Sequence, residues 1–185
     1  MRRLRIFTWN IRGSYLYYLL HSGHDFYVPR KFDRSEGFIG ITDGYPWSSN
    51  LHEVPVDRIK EQQFDTVLYQ SRKNYLEDAI DILSGEQLRL PSIYLEHDPP
   101  RESPTDSKHP ADDPNILVVH VTAFNKRMWD CGRSPSIIIE HGALEWGQSA
   151  EKTAIDRFNI DRFADDWNKA FAFVTNTEHK TGAHA

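Results

Sequence analysis

The stretch IYLEHDPPRESPTDSKHPADDPNILVVHVT, residues 93–122, sets two apolar runs, 93–97 and 116–122, on either side of a long connection crowded with prolines and charges. A continuous apolar run bounded by turn residues marks a strand buried on both faces, whereas strict alternation marks a strand with one wet face. Working outward, the same signature recurs at residues 4–9, 25–28, 66–70 and 136–140. Helical spacing fills the intervals 14–21, 57–62, 74–83 and 123–131. Strands alternating with helices predict right-handed crossovers and an α/β fold: a Rossmann-like open, mostly parallel sheet flanked by helices. Residues 31–50 hold Gly37, Gly40, Gly44 and Pro46 and read as an irregular excursion.

The C-terminal part carries a different pattern. Residues 149–174 read as helical, with Ile155 and Phe158 on neighbouring turns. Phe163, Trp167, Phe171 and Val174 then fall at i, i+4, i+8 and i+11 along one face, which must pack against another element. Asn159 is placed to cap this second piece, with Asp161 favouring the positive end of its dipole. Residues 175–185 are polar, without a period, and are expected to form a loose tail.

Bulk properties exclude several classes. Apolar residues at 39% and charged residues at 26% give no disorder signature and can supply one sizeable core. A net charge of −5 offers no basic footprint for nucleic acid or an anionic membrane surface. No run approaches the roughly 18 apolar residues of a membrane span. Asn10 and Arg12 interrupt the apolar start before a signal-peptide core could form. Cys131 is the single cysteine, which rules out an intrachain disulfide and suits a reducing, cytoplasmic compartment. The nine histidines lack zinc-ligand spacing, so neither a metal nor a cofactor is expected. No G-x-S-x-G elbow, P-loop or D-x-D triplet occurs.

Ligands of open α/β sheets bind outside the carboxyl ends of the strands, which selects the candidates. Arg12, Gly13 and Ser14 follow the first strand; the glycine permits close backbone approach, and Ser14 would cap the next helix. Gln70 and Arg72 follow the run at 66–70, and the guanidinium could clamp a phosphate or carboxylate, a solvated helical turn being the competing reading. Glu96, His97 and Asp98 end the run at 92–96. His97 there could exchange a proton near neutral pH, or be a structural histidine. Thr122, Asn125 and His141 stand at the last two strand ends. Polar groups at five strand ends point to a binding cleft.

Together these residues resemble the retaining, family 4 type of GT-B glycosyltransferase, over about residues 4–142 and again over 147–174. Arg12-Gly13-Ser14 looks like the family's glycine loop, with one glycine where many members have two. His97-Asp98-Pro99 looks like its H-[DE]-P segment, and residues 137–142 like the last strand of its N-terminal domain. Residues 148–171 look like the family's extreme C-terminal helices, the last of which crosses back onto the first domain. The resemblance implies three parts: an acceptor-side Rossmann-like domain over 1–146, helices over 147–174 packed back on it, and a tail over 175–185. It implies that the donor-binding domain between the first two is missing. The one E-x7-E pair, Glu53 and Glu61, lies in the wrong domain and is read as coincidence.

On that basis His97 is the catalytic candidate, contacting the transferred sugar. Arg12, Gly13, Ser14, Gln70, Arg72, Asp98, Thr122, Asn125 and His141 are the substrate-binding candidates. The expected partner is a sugar acceptor, with a nucleotide sugar only if the missing domain is supplied, and transfer is metal-independent with retention of configuration. The chain alone is expected to be inactive, and could form a homodimer through the exposed interdomain face. The alternative is a standalone Rossmann-like scaffold that self-associates. A small hydrolase using His97 and Asp98 is a third reading, lacking an evident nucleophile.

Overall fold

A computed structural model describes residues 2–100, 107–141 and 159–181. The described strands are β1 (Arg5–Thr8), β2 (Asp25–Arg30), β3 (Leu51–Pro55), β4 (Thr66–Tyr69), β5 (Ser92–Glu96), β6 (Ser107–Lys108), β7 (Ile116–His120), β8 (Trp129–Asp130) and β9 (Ser136–Ile138). The described α-helices are α1 (Gly13–Leu19), α2 (Ala79–Ile82), α3 (Ala123–Met128) and α4 (Ile160–Thr181). Seven strands join in the order β3-β2-β1-β4-β5-β7-β9, with every pairing parallel. The chain walks outward from β1 to β3, returns to the centre at β4 and walks outward on the other side. Strand order therefore reverses between β1 and β4, where Phe7 stands beside Val67. This is an α/β, Rossmann-like open sheet.

The continuous apolar runs explain the layering, because alternate residues of each central strand feed opposite cores. Ile6, Leu68, Ile93, Leu95, Leu117 and Val119 face one side, covered by Leu16 and Leu19 of α1 and by Phe163, Trp167 and Phe171 of α4. Phe7, Val67, Tyr94 and Val118 face the other, with Ile59, Ile82 and Leu83. The C-terminal helix thus packs back on the sheet as its spacing predicts, and Trp167 Nε1 donates to the Tyr15 hydroxyl at 3.3 Å. Each such buried side chain contributes roughly 1.5–3 kcal/mol. Asn159 caps the helix: its Oδ1 accepts the backbone N–H groups of Asp161 (2.7 Å) and Arg162 (3.3 Å).

Several elements differ from expectation. Edge strand β3 is absent from the sequence reading because His52 and Glu53 break its apolar run, as an edge strand allows. Residues 56–61 form a 3₁₀ helix rather than an α-helix, directly after Pro55. Residues 74–78 take π geometry before α2. The helix read over 123–131 ends at Met128, because Trp129 and Asp130 pair with Ser107 and Lys108 in a small second sheet. The connection after β5 is thereby partly structured. Helix α4 continues to Thr181, so residues 175–181 are helical where a loose tail was expected. The reading of a helix at Ile155 and Phe158, and the junction over 143–147, lie outside the described residues.

Residues 31–50 are irregular but pinned. Glu53 accepts the Ile41 backbone N–H at 2.9 Å and pairs with Arg30 at 2.6 Å. Gly40 has φ +66 at this point, and a Cβ there would run into the Glu53 side chain. Glu61 pairs instead with Arg58, so the two glutamates of the coincidental pair do separate structural jobs.

Candidate binding cleft at the strand ends

A crevice forms where strand order reverses, because connections leave the sheet on opposite faces there. Outside the ends of β1, β4 and β5 lies a cavity of about 620 Å³, with Arg12, Gln70, Arg72, His97, Asp98 and Lys108 in its wall. Five residues picked from sequence for polarity at strand ends, following three different strands, therefore meet in one place.

The His97–Asp98 corner is held by three neighbours. Asn125 Nδ2 donates to the His97 carbonyl at 3.0 Å, Trp129 Nε1 to the Asp98 carbonyl at 2.9 Å, and the Asp98 N–H donates to Glu96 Oε1 at 2.9 Å. The second Glu96 oxygen faces His109 Nε2 at 3.3 Å, both side chains being buried. The His97 ring stands edge-on to Tyr15, centroids 5.0 Å apart. Burial pulls its pKa down to about 4, and the positive Arg12 and neighbouring His141 act in the same direction. His97 is consequently a neutral imidazole at pH 7, and its Nε2 is buried, with no hydrogen-bond partner among the described residues. In that state it can accept a hydroxyl proton or donate one hydrogen bond, depending on tautomer.

Arg12 reaches across the crevice to Asp98 at 3.0 Å, tying the end of β1 to the end of β5. Both partners are close to half exposed, so the pair positions more than it stabilises. Gln70 Nε2 donates to the Trp9 carbonyl at 2.6 Å and to Thr8 Oγ1 at 3.0 Å. A carbonyl only accepts, so the amide orientation is fixed and Oε1 is the atom left over, buried and unpartnered. Lys73 is neutralised by Asp78 at 3.2 Å. Arg72 and Lys108 make no ion pair among the described residues, and both are exposed to the cavity.

The remaining candidates serve the fold. Helix α1 starts at Gly13 with Arg12 as its N-cap residue, so Ser14 lies inside the first turn and does not cap it. The space beside Gly13 is filled by the Tyr45 ring, whose Cε2 would lie 2.9 Å from a Cβ there. That glycine admits an aromatic ring of the excursion, and neither Gly13 nor Ser14 lines the cavity. Thr122 caps α3 by accepting the Asn125 N–H at 3.0 Å. Asn125 acts through the His97 carbonyl. His141 packs edge-on to the opposite side of Tyr15 at 5.0 Å, and burial lowers its pKa.

Sequence reasoning missed Lys108, His109 and Trp129. They arrive through the pairing of β6 with β8, and a two-residue strand carries no periodic signal. On the other side of the sheet His120 Nε2 meets Cys131 Sγ at 3.4 Å. Burial pulls the His120 pKa to about 4 and pushes the Cys131 thiol to about 11, leaving both neutral and inert. Among the described residues no group of three His, Cys, Asp or Glu side chains could hold a metal ion, and no helix is long and apolar enough to cross a membrane. Searches of family models, curated proteins and solved structures return no match to this chain.

Proposed function

We infer that the chain is the acceptor-side half of a nucleotide-sugar-dependent glycosyltransferase of the GT-B type, acting by retention and inactive by itself. The observation that carries the reading is His97: a neutral imidazole with an unengaged Nε2. It is fixed by backbone hydrogen bonds at the mouth of the reversal crevice. A group so placed suits hydrogen bonding to a sugar hydroxyl better than it suits proton donation. The aromatic face of α4 against α1 and the sheet agrees with the helix that crosses back in the resembled family. Sugar transfer needs donor and acceptor in reacting geometry, and the cleft here supplies one wall.

The test is an amide NMR titration with UDP-, GDP- and ADP-sugars and with free sugars, combined with a turnover assay. Free sugars are expected to shift His97 and Gln70, nucleotide sugars to give no saturable response, and turnover to be undetectable. Transfer by the pure chain, or saturable nucleotide-sugar shifts at Gly13 and His97, would overturn the reading. The second reading, a self-associating scaffold, draws on exposed Ile11 and Phe124 at the carboxyl end of the sheet. Light scattering at high concentration decides it: a monomer removes it.

A further inference from the structure

We propose that the sheet face opposite α4 docks a helical segment of a partner polypeptide, apolar along one stripe and basic along its flank. It is independent of the glycosyltransferase reading. A groove of about 750 Å³ lies there, toward the end of β5 remote from the cleft, with Pro91, the starting residue Ser92 of β5 and the starting residue Ile116 of β7 in its wall. Of the nine large apolar side chains exposed among the described residues, four line this one groove: Leu76, Ile80, Leu88 and Phe173. Leu76 and Ile80 stand four residues apart on the π turn and α2, 41% and 62% exposed. Leu88 joins them from a three-residue 3₁₀ turn. Such short segments cannot wrap this face as the 22-residue α4 wraps the other.

The lining fits a helix better than a strand or a small molecule. Pro91, Pro110, Pro114 and Pro135 carry no N–H, so the wall offers no ladder along which an extended peptide could add a strand. Its polar groups are already engaged: Ser92 Oγ donates to the Leu90 carbonyl at 2.8 Å, and Asn115 Nδ2 to Asp113 at 3.0 Å. With those groups engaged, a small polar ligand finds little to orient it. A helix needs only apolar contact, seating side chains at i, i+3, i+4 and i+7.

The rim supplies the charge. Glu77 and Asp81 directly follow Leu76 and Ile80 and stand as an exposed row at the same spacing, and Glu86 is exposed two residues before Leu88. None of the three makes an ion pair among the described residues. Arg89 is the one cation of the described wall, while nearby Lys73 is held by Asp78 at 3.2 Å. Three acids against one base favour a partner with Lys or Arg beside its apolar stripe.

The test is a fluorescence-anisotropy titration of the whole chain with three labelled synthetic peptides of about four helical turns. One carries leucine at helical spacing with lysine elsewhere, the second has glutamate for every lysine, and the third alternates leucine and lysine as a strand would. The helical lysine peptide is expected to bind at least about tenfold tighter than either control. Ile80→Ser with Leu88→Ser is expected to lose about tenfold in that affinity with the melting temperature unchanged, because both side chains are exposed. Glu77→Gln with Asp81→Asn is expected to close the gap between the lysine and glutamate peptides.

Equal binding of the lysine and glutamate peptides would overturn the charged rim. Equal binding of the alternating peptide would overturn the helix. Full affinity in the double serine variant would place the binding elsewhere and overturn the site. Oleate bound by the wild-type chain but not by that variant, with no peptide response, would make the groove a pocket for an apolar small molecule. A dimer in light scattering that the same variant dissolves would give the groove to a second copy of this chain. Either result, or no binding by any probe, would overturn the proposal.

Discussion

The two faces of the sheet are covered in opposite ways. One lies under α4, a 22-residue helix whose Phe163, Trp167 and Phe171 are almost fully buried and which needs only its own period to be recognised. The other lies under a 3₁₀ segment, a π turn and the four-residue α2, each too short to be stable alone. The first face buys its order from one amphipathic element. The second is held by separate polar ties, such as Gln87 Nε2 donating to the Ile59 and Gln62 carbonyls at 2.9 and 2.8 Å. The polar cleft opens at the strand ends between these two coverings, where neither supplies a continuous lid.

The largest expected effect tests whether α4 dominates. Trp167→Ala should cost about 3–5 kcal/mol in urea unfolding, through lost burial and the cavity left behind. Ile59→Ala, also fully buried but under the short segments, should cost about 2–4 kcal/mol. Equal losses at the two sites would remove the distinction between the faces.

A smaller effect compares the faces by pH. His97 on the α1 side and His120 on the other both have folded pKa values near 4, below the ordinary 6.5. Between those values the unfolded chain binds protons that the folded chain refuses. Stability is therefore complete above pH 6.5 and falls toward pH 4, by up to about 1.4 kcal/mol per pH unit for each histidine. Thermal melts of His97→Gln and His120→Gln should each lose part of that slope. An unchanged slope in one variant would place the pH sensitivity on the other face alone.

The smallest effect concerns the start of α4. Asn159→Ala removes the cap on Asp161 and Arg162 and should cost about 1 kcal/mol, read as a lower melting temperature. A neutral result would mean that the aromatic face alone fixes where the helix begins.

Legibility followed the length and type of each signal. Strand runs at 92–96 and 116–122 were readable because burial on both faces demands uninterrupted apolar residues. Trp167 and Phe171 were readable because a long helix repeats its period. The edge strand at Leu51–Pro55 was not, since its half-wet pairing tolerates His52 and Glu53. In the cleft, Arg12, Gln70, Arg72, His97 and Asp98 were legible from their position after strands. Ser14 is not the cap its hydroxyl suggests, because the chain enters α1 at Arg12, two residues earlier.

By itself the sequence determined the α/β class, the parallel sheet and the packing of the C-terminal helix, because hydrophobic periodicity is a local property that burial enforces everywhere along an element. Only the tertiary structure decided which polar groups meet. Lys108 and Trp129 are brought to His97 by the pairing of β6 with β8, and Gly13 is closed by Tyr45 from the excursion. Those juxtapositions join residues far apart in the chain, and no local pattern encodes the distance between them.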